Sequence, residues 1–352
     1  MAISTLMLTS LFSFAVASAI ADAATFNVTE MAFDDEYLPL FGERNLLRSA
    51  DGRTVKILLN QHSGSGFISS NLYYHGLFSA SIKLPSAYTA GVVVAFYMSN
   101  GDIFEKNHDE LDFEFLGNLW GREWKVQTNV YGNGSTSRGR EERYRLPFDP
   151  TAEAHRYSIV WTNTTIIFYV DEIPIREVVR SSAMGGDYPS KPMLIYATIW
   201  DGSNWATSGG KHKVDYKYAP FASDFSELIL KGCRLDPIQE LPAHAQCHEQ
   251  ELDIAVADYS VMTEQKQKAM MQFRREYMIY SFCYDELRYP SIFPDCKIEE
   301  EEKEKFGRTG HVMRRPSSKP EVMKGTLPVR KRRPKRRNQA RSRIIISETA
   351  EI

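Results

Sequence analysis

From Phe26 to Phe221 the chain is broken into short apolar or alternating runs, separated by Gly, Pro, Asn and Ser clusters. The runs Thr54–Leu59, Phe78–Leu84, Val92–Met98, Leu111–Leu116, Tyr157–Trp161, Ile166–Val170 and Met193–Ile199 have the length and alternation of strands. Tyr157–Trp161 and Ile166–Val170 sit close enough to pair as a hairpin around Asn163. Helical spacing is absent from this stretch, and many short strands without intervening helices predict an all-β sandwich or barrel. The texture changes after Ser223. Met270, Phe273, Tyr277 and Tyr280 follow 3-4-3 spacing, which predicts a helix from about Thr263 to Tyr280, capped by Thr263, with that aromatic face docked on the sandwich. Beyond Cys296 a charge run (Glu299 to Lys305) and a Pro/Lys/Arg-rich stretch (Pro316 to Arg343) read as a disordered tail. The expected organisation is a leader over 1–23, a catalytic domain over 24–222, a cysteine-bearing extension over 223–298 and the tail over 299–352.

One strand departs from ordinary patterning. In His108-Asp109-Glu110-Leu111-Asp112-Phe113-Glu114-Phe115-Leu116-Gly117-Asn118, Leu111, Phe113 and Phe115 alternate with Glu110, Asp112 and Glu114. Successive side chains of a strand point to opposite faces, so one face is wholly apolar and the other carries three carboxylates in a row. A solvent-facing strand usually interleaves Thr, Ser and Lys, and adjacent carboxylates without a cation repel one another. Glycoside cleavage gives the row a purpose: it needs one carboxylate and one carboxylic acid flanking the scissile bond, about 5–5.5 Å apart in retaining enzymes. Neighbouring acids raise each other's pKa, which keeps one of them protonated. On an ideal strand, Cα atoms four residues apart are about 13 Å apart, so Glu110 and Glu114 meet only by leaning together on a twisted strand. His108, just before the strand, reads as a packing or hydrogen-bonding residue. No cluster has metal-ligand spacing, and no cofactor or metal is expected.

His108 to Asn118 resembles the HDE-(I/L)-DFEFLGN motif of the plant xyloglucan endotransglucosylase/hydrolases, in glycoside hydrolase family 16. Further segments match that family in order. They are Gln127-Thr128-Asn129-Val130-Tyr131, Arg140-Glu141-Glu142 through Leu146, Phe148-Asp149-Pro150-Thr151, His155 to Trp161, Ile173-Pro174-Ile175-Arg176, Asn204-Trp205-Ala206-Thr207 with Gly209-Gly210, and Cys283-Tyr284-Asp285 with Arg288-Tyr289-Pro290 and Cys296. The resemblance implies a concanavalin-like β-jelly-roll sandwich with a helix-containing C-terminal extension. It implies Glu110 as nucleophile, Glu114 as acid/base, and Asp112 as the group that orients the nucleophile. It also implies contacts to xyloglucan donor and acceptor chains from Gln127, Thr128, Asn129, Gly139, Arg140, Glu141, Asn204, Trp205, Gly209 and Arg288. The sequence departs from the family's pattern at three of its usual residues: Gly139 and Asn204 each replace an Asp, and Pro147 replaces a Trp. The sequon that usually follows FLGN is absent, since Leu119-Trp120 follows Asn118.

Composition then bears on the compartment. Ile3 to Ala19 is uncharged and apolar or small, followed by small residues at Ala21 and Ala23, which reads as a secretory signal peptide; no other stretch would cross a membrane. In an oxidising compartment, Cys233, Cys247, Cys283 and Cys296 suggest two disulfides. Of the three connectivities, sequential pairing (233–247, 283–296) closes the shorter loops. Sequons occur at Asn27, Asn133 and Asn163, with Asn133 favoured because Gly132 and Gly134 mark an exposed loop. The net charge of −2 is uneven. From Lys324 onward, ten Lys/Arg face Glu348 and Glu351, a balance of +8, which leaves −10 on the body. That tail reads either as an electrostatic tether to acidic wall polysaccharide or as a solvated appendage, and the leader argues against nucleic acid as its partner.

The expected protein is therefore a secreted monomer of the cell wall and apoplast that cuts and rejoins xyloglucan with retention. A hydrolase using the same site and a non-catalytic glucan-binding sandwich are the alternatives.

Overall fold

The computed structural model describes residues 30–235 and 258–313. The leader, the sequon at Asn27, Cys247 and the basic tail from 314 lie outside the described residues.

Two antiparallel sheets make up the body. The first runs in the order β1 (Tyr37–Phe41), β4 (Ser65–Ser69), β13 (Leu194–Asp201), β6 (Val92–Ser99), β7 (Glu110–Leu116), β8 (Lys125–Tyr131), β9 (Glu142–Tyr144), β15 (Met278–Ser281). The second runs β12 (Ile173–Val179), β11 (Thr165–Val170), β10 (His155–Trp161), β5 (Leu72–Lys83), β14 (Phe221–Leu235), β3 (Thr54–Leu59), β2 (Leu46–Arg48). This is the jelly-roll sandwich the sequence implied. The hairpin around Asn163 forms with Trp161 opposite Ile166.

The core lies between the sheets, and the acidic strand shows why. Leu111, Phe113 and Phe115 are fully buried. Phe113 meets Phe168 edge-on at 5.3 Å and Tyr157 at 5.6 Å, and Phe115 meets Tyr157 at 4.6 Å. Each such ring contributes about 1.5–3 kcal/mol on leaving water. The period of two then leaves Glu110, Asp112 and Glu114 no choice but the outer face.

Two boundaries differ from the sequence reading. Strand β14 continues to Leu235 in the middle of the second sheet, so the sandwich does not end at 222. The charge run read as the start of a disordered tail is instead a helix, Glu300–Phe306, anchored by fully buried Phe306 and by Glu302. Its apolar anchor is a single residue, so hydrophobic spacing could not announce it. The helix placed near 263–280 spans Glu264–Tyr277, with the Thr263 side chain accepting from Lys266 N. Phe273 is its buried contact, 5.9 Å from Tyr144, and Tyr280 belongs to β15 rather than to the helix.

These C-terminal elements converge on one buried carboxylate. Glu142 of β9 takes a two-pronged ion pair from Arg274 of the Glu264–Tyr277 helix, at 2.7 and 3.0 Å. It also accepts from Tyr144 at 2.5 Å and from Ser281 of β15 at 3.2 Å. The other edge of the Arg274 guanidinium grips Glu302 at 2.8 and 3.0 Å. Burial alone would raise the Glu142 carboxyl, but Arg274 first and Arg176 next hold it down at about 2. Cys283 and Cys296 close a disulfide just beyond β15. Cys233 is also disulfide-bonded, and the expected pairing of 233 with 247 falls on a residue outside the described set.

A folded-state pKa below the unfolded one adds stability that is complete above the unfolded value and lost as pH falls through the folded one. Glu142 therefore protects the fold fully above about pH 4.5, and its contribution disappears as pH drops toward about 2. Arg274→Met strands that buried charge and should cost about 3–5 kcal/mol. Urea unfolding at pH 7 and pH 3 checks both statements, since the difference between variant and wild type should shrink at the lower pH.

Candidate active site

Antiparallel pairing arranges the site in three rows across the first sheet. Ser99, Glu110 and Tyr131 form one; Tyr97, Asp112 and Asn129 the next; Ala95, Glu114, Gln127, Arg143 and Tyr280 the third. The rows fall on the face turned away from the core. Ala95, Tyr97, Glu110, Asp112, Glu114, Asn129 and Tyr131 of these rows floor a cleft of about 370 Å³ lined also by Phe41, Thr198 and Trp200. The three acids therefore share one cavity with four aromatic side chains, a surface suited to sugar rings.

The environments of the acids differ. Glu110 accepts from Ser99, shares a hydrogen bond with Asp112, and has His108 Nε2 3.9 Å from its Oε2. Burial raises its pKa, while these partners favour the ionised form. Asp112 is pushed well above the usual carboxylate range by burial and then by the charges of Glu110 and Glu114 on either side. That rise favours its protonated form, which donates to Glu110 and fixes that carboxylate's orientation. Burial pushes Glu114 up to about 7, against a hydrogen bond from Gln127 Nε2 that favours its anion. Glu110 and Glu141 add to the rise and Arg143 opposes it. The partners of Glu110 thus favour its anion while burial lifts Glu114 toward neutrality, the division between carboxylate and carboxylic acid that a retaining glycosidase uses. Among the described residues no group of three or more His, Cys, Asp or Glu side chains is placed to hold a metal ion.

The remaining expected residues divide by position. Asn129 lines the cleft beside the acids, and Gln127 lies on the same face of the sheet, opposite Glu114. Asn129 Oδ1 is occupied by the amides of Val130 and Arg140, at 2.9 and 2.8 Å. Thr128, between them, points to the other face. It is fully buried, and its hydroxyl accepts from Arg176 at 3.0 Å, so its side chain does not reach the cleft. Arg140 is also enclosed, 1% exposed, donating to Val130 O at 3.0 Å and pairing with Asp295 at 3.1 Å. Its guanidinium ties the loop before β9 to the disulfide segment instead of offering donors to a ligand. Glu141 is clamped by Arg288 at 2.7 and 3.1 Å, a fork from the C-terminal extension. At Gly139 an added Cβ would lie 2.5 Å from Glu141 Oε1, so that clamp needs the missing side chain. Asn204, Trp205 and Gly209 sit on the loop after β13, with Trp205 6.0 Å from Trp200 of the cleft wall and Gly209 at φ +67°.

The sequence reading missed Asp109 and Arg143. Asp109 is fully buried and accepts from Asn133 N (2.7 Å), Ser190 N, Lys191 N and Lys191 Nζ (2.8 Å each), which pins the start of β7 to two loops. In the sequence its signal is an extra acid immediately before the alternating set. Arg143 becomes relevant only through its register opposite Gln127.

Comparison with known proteins gives the site a lineage. The family model described as glycosyl hydrolases family 16 matches residues 33–218, and the xyloglucan endo-transglycosylase (XET) C-terminus model matches 250–296. The protein named probable xyloglucan endotransglucosylase/hydrolase protein 30 of Arabidopsis thaliana is 54% identical, covering 93% of this chain and 92% of its own. Probable protein 28 of the same plant is 56% identical over 76% and 79%, and xyloglucan endotransglucosylase/hydrolase protein 2 is 41% identical over 75% and 88%.

A group that must be protonated to work fails above its pKa. Glycosidic cleavage that needs an acid at Glu114 should therefore lose kcat/KM as pH rises through about 7, tenfold per unit beyond it. The acid limb should lie above the ordinary glutamate range, because Glu110 is raised. A kcat/KM profile from pH 3 to 9 checks both limbs.

Proposed function

The chain belongs to glycosyl hydrolase family 16, among its xyloglucan endotransglucosylase/hydrolases, and from that premise we propose that it cuts the β-1,4-glucan backbone of xyloglucan and rejoins it to another xyloglucan chain. The reading is carried by the unbroken acid row Glu110, Asp112, Glu114 on the cleft floor. A binding protein derived from this scaffold would be free to lose any of the three.

In the first step Glu110 attacks the anomeric carbon and Glu114 gives its proton to the departing glycosidic oxygen. The C–O bond breaks and a glycosyl ester forms on Glu110. Asp112 holds the attacking oxygen in line through their shared hydrogen bond. The reducing-end fragment leaves. In the second step Glu114, now ionised, takes the proton from an acceptor hydroxyl, whose oxygen displaces Glu110 and restores the β-linkage. Water in place of that hydroxyl gives hydrolysis by the same groups. We prefer transfer because the position of the sequon at Asn133, rather than directly after FLGN, and the C-terminal extension resemble one subgroup of the family, for which transfer is the expected reaction. Gln127, Asn129, Glu141 with Arg288, and Trp205 are the side chains suited to hold the two glucans, the polar ones through hydroxyls and the indole through a ring face.

We place the protein outside the cell, in the wall, as a monomer. The apolar leader, the sequons and the disulfide support the extracellular placement. No helix among the described residues is long and apolar enough to cross a membrane.

Incubation with xyloglucan, with and without a labelled xyloglucan oligosaccharide, tests the reaction. Label should enter polymer with few new reducing ends. Rising reducing ends without incorporation would make the enzyme a hydrolase. Loss of both reactions in Glu110→Ala, with xyloglucan still bound, is the expected signature of the nucleophile.

A further inference from the structure

We propose that Arg143 is a positioning residue for the acid/base: by donating to the carbonyl oxygen of Gln127 it fixes which end of that amide faces Glu114. The geometry lies along the third row. Arg143 Nε donates to Gln127 Oε1 at 2.6 Å, and Gln127 Nε2 donates to Glu114 Oε2. An amide can present either end to a neighbour, but a guanidinium can only donate. With Arg143 on one side, the oxygen of Gln127 must face it, and the NH₂ is left for Glu114. Arg143 is steadied in turn by Tyr280 of β15, whose ring lies 5.1 Å from the guanidinium carbon and meets the His311 ring, tilted at 41°, at 4.6 Å. The C-terminal extension thereby reaches the acid/base through a chain of direct contacts.

The inference rests on the reading of Glu114 as acid/base, and explains how one carboxyl serves both half-reactions. It must be protonated to release the leaving group and ionised to activate the acceptor. A donor from Gln127 favours the ionised form. A flipped amide would present an oxygen and favour the protonated form, starving the second step. The other groups acting on Glu114 are Glu110 and Asp112 on its own strand and Glu141 beside β9, itself clamped by Arg288. Ala95, opposite on β6, is neutral. Arg143 is the cation among them, and its direct charge acts on Glu114 in the same direction as the amide but more weakly, so its removal is felt mainly through Gln127.

The test compares Arg143→Gln, Arg143→Lys, Gln127→Leu, Arg143→Gln/Gln127→Leu and Glu114→Gln in the full-length protein, reading pH profiles of xyloglucan transfer and the fraction of enzyme trapped as glycosyl ester after acid quench. Arg143→Gln, neutral and able to accept, should move the alkaline limb up by about half to one pH unit, lower kcat about tenfold and raise the trapped fraction. Arg143→Lys, still a donor-only cation, should keep the limb near its wild-type position. The double variant should shift little beyond Gln127→Leu, since Arg143 acts largely through that amide. An unmoved limb in Arg143→Gln, a Lys variant that behaves like Gln, or additive shifts would each overturn the proposal. Glu114→Gln, assayed on a donor with an aryl leaving group that needs no acid, separates the two levels. If the alkaline limb persists there, the acid/base assignment fails and the proposal with it. If it vanishes while Arg143→Gln leaves the limb in place, the assignment stands and only the positioning role is lost.

Discussion

A single strand has to serve two solvents. β7 runs through the interior of its sheet, hydrogen-bonded on both sides, and its odd and even positions are committed in opposite directions. Leu111, Phe113 and Phe115 close the core against Tyr157 and Phe168, and that commitment orients the carboxylates. A slip of one residue would bury three acids and expose three large apolar side chains, so the register of the active site is enforced by the core. Catalytic geometry and folding stability are two readings of one alternation.

The same logic extends sideways. The acids lie within rows completed by neighbouring strands, and the environment of each is set by what the adjacent strand places opposite it. Glu110 faces Ser99 and Tyr131, while Glu114 faces Ala95 and Gln127. Three carboxyls in one cleft can then hold different protonation states at one pH, which a retaining mechanism needs. Glu142, one residue before Arg143 and turned to the opposite face, does the structural counterpart: it takes the charge of Arg274 and welds the extension to the catalytic sheet.

Much of this was legible in the sequence because it rests on short-range pattern. Alternation located β7 and its acids, turn residues delimited the strands, and Thr263 with Phe273 marked the helix. What stayed hidden depends on pairing between distant segments. The continuation of β14 to Leu235 carries no boundary residue that sequence alone would weigh differently. The helix Glu300–Phe306 shows a charge run with one apolar anchor, and it exists because Glu302 and Phe306 find partners elsewhere. Thr128 and Arg140 show the reverse. A motif matched by residue type does not say which side of the sheet a side chain occupies, and both turn inward to other duties.

The placement of β15 has one more consequence. A three-residue strand such as β9, left as the margin of its sheet, would present unsatisfied amides and carbonyls to any extended chain nearby. By covering β9 with Met278–Ser281 and bolting that cover down with a helix and a disulfide, the extension acts as a selvedge: it keeps the working sheet from recruiting foreign strands, a service distinct from anything it does for sugar.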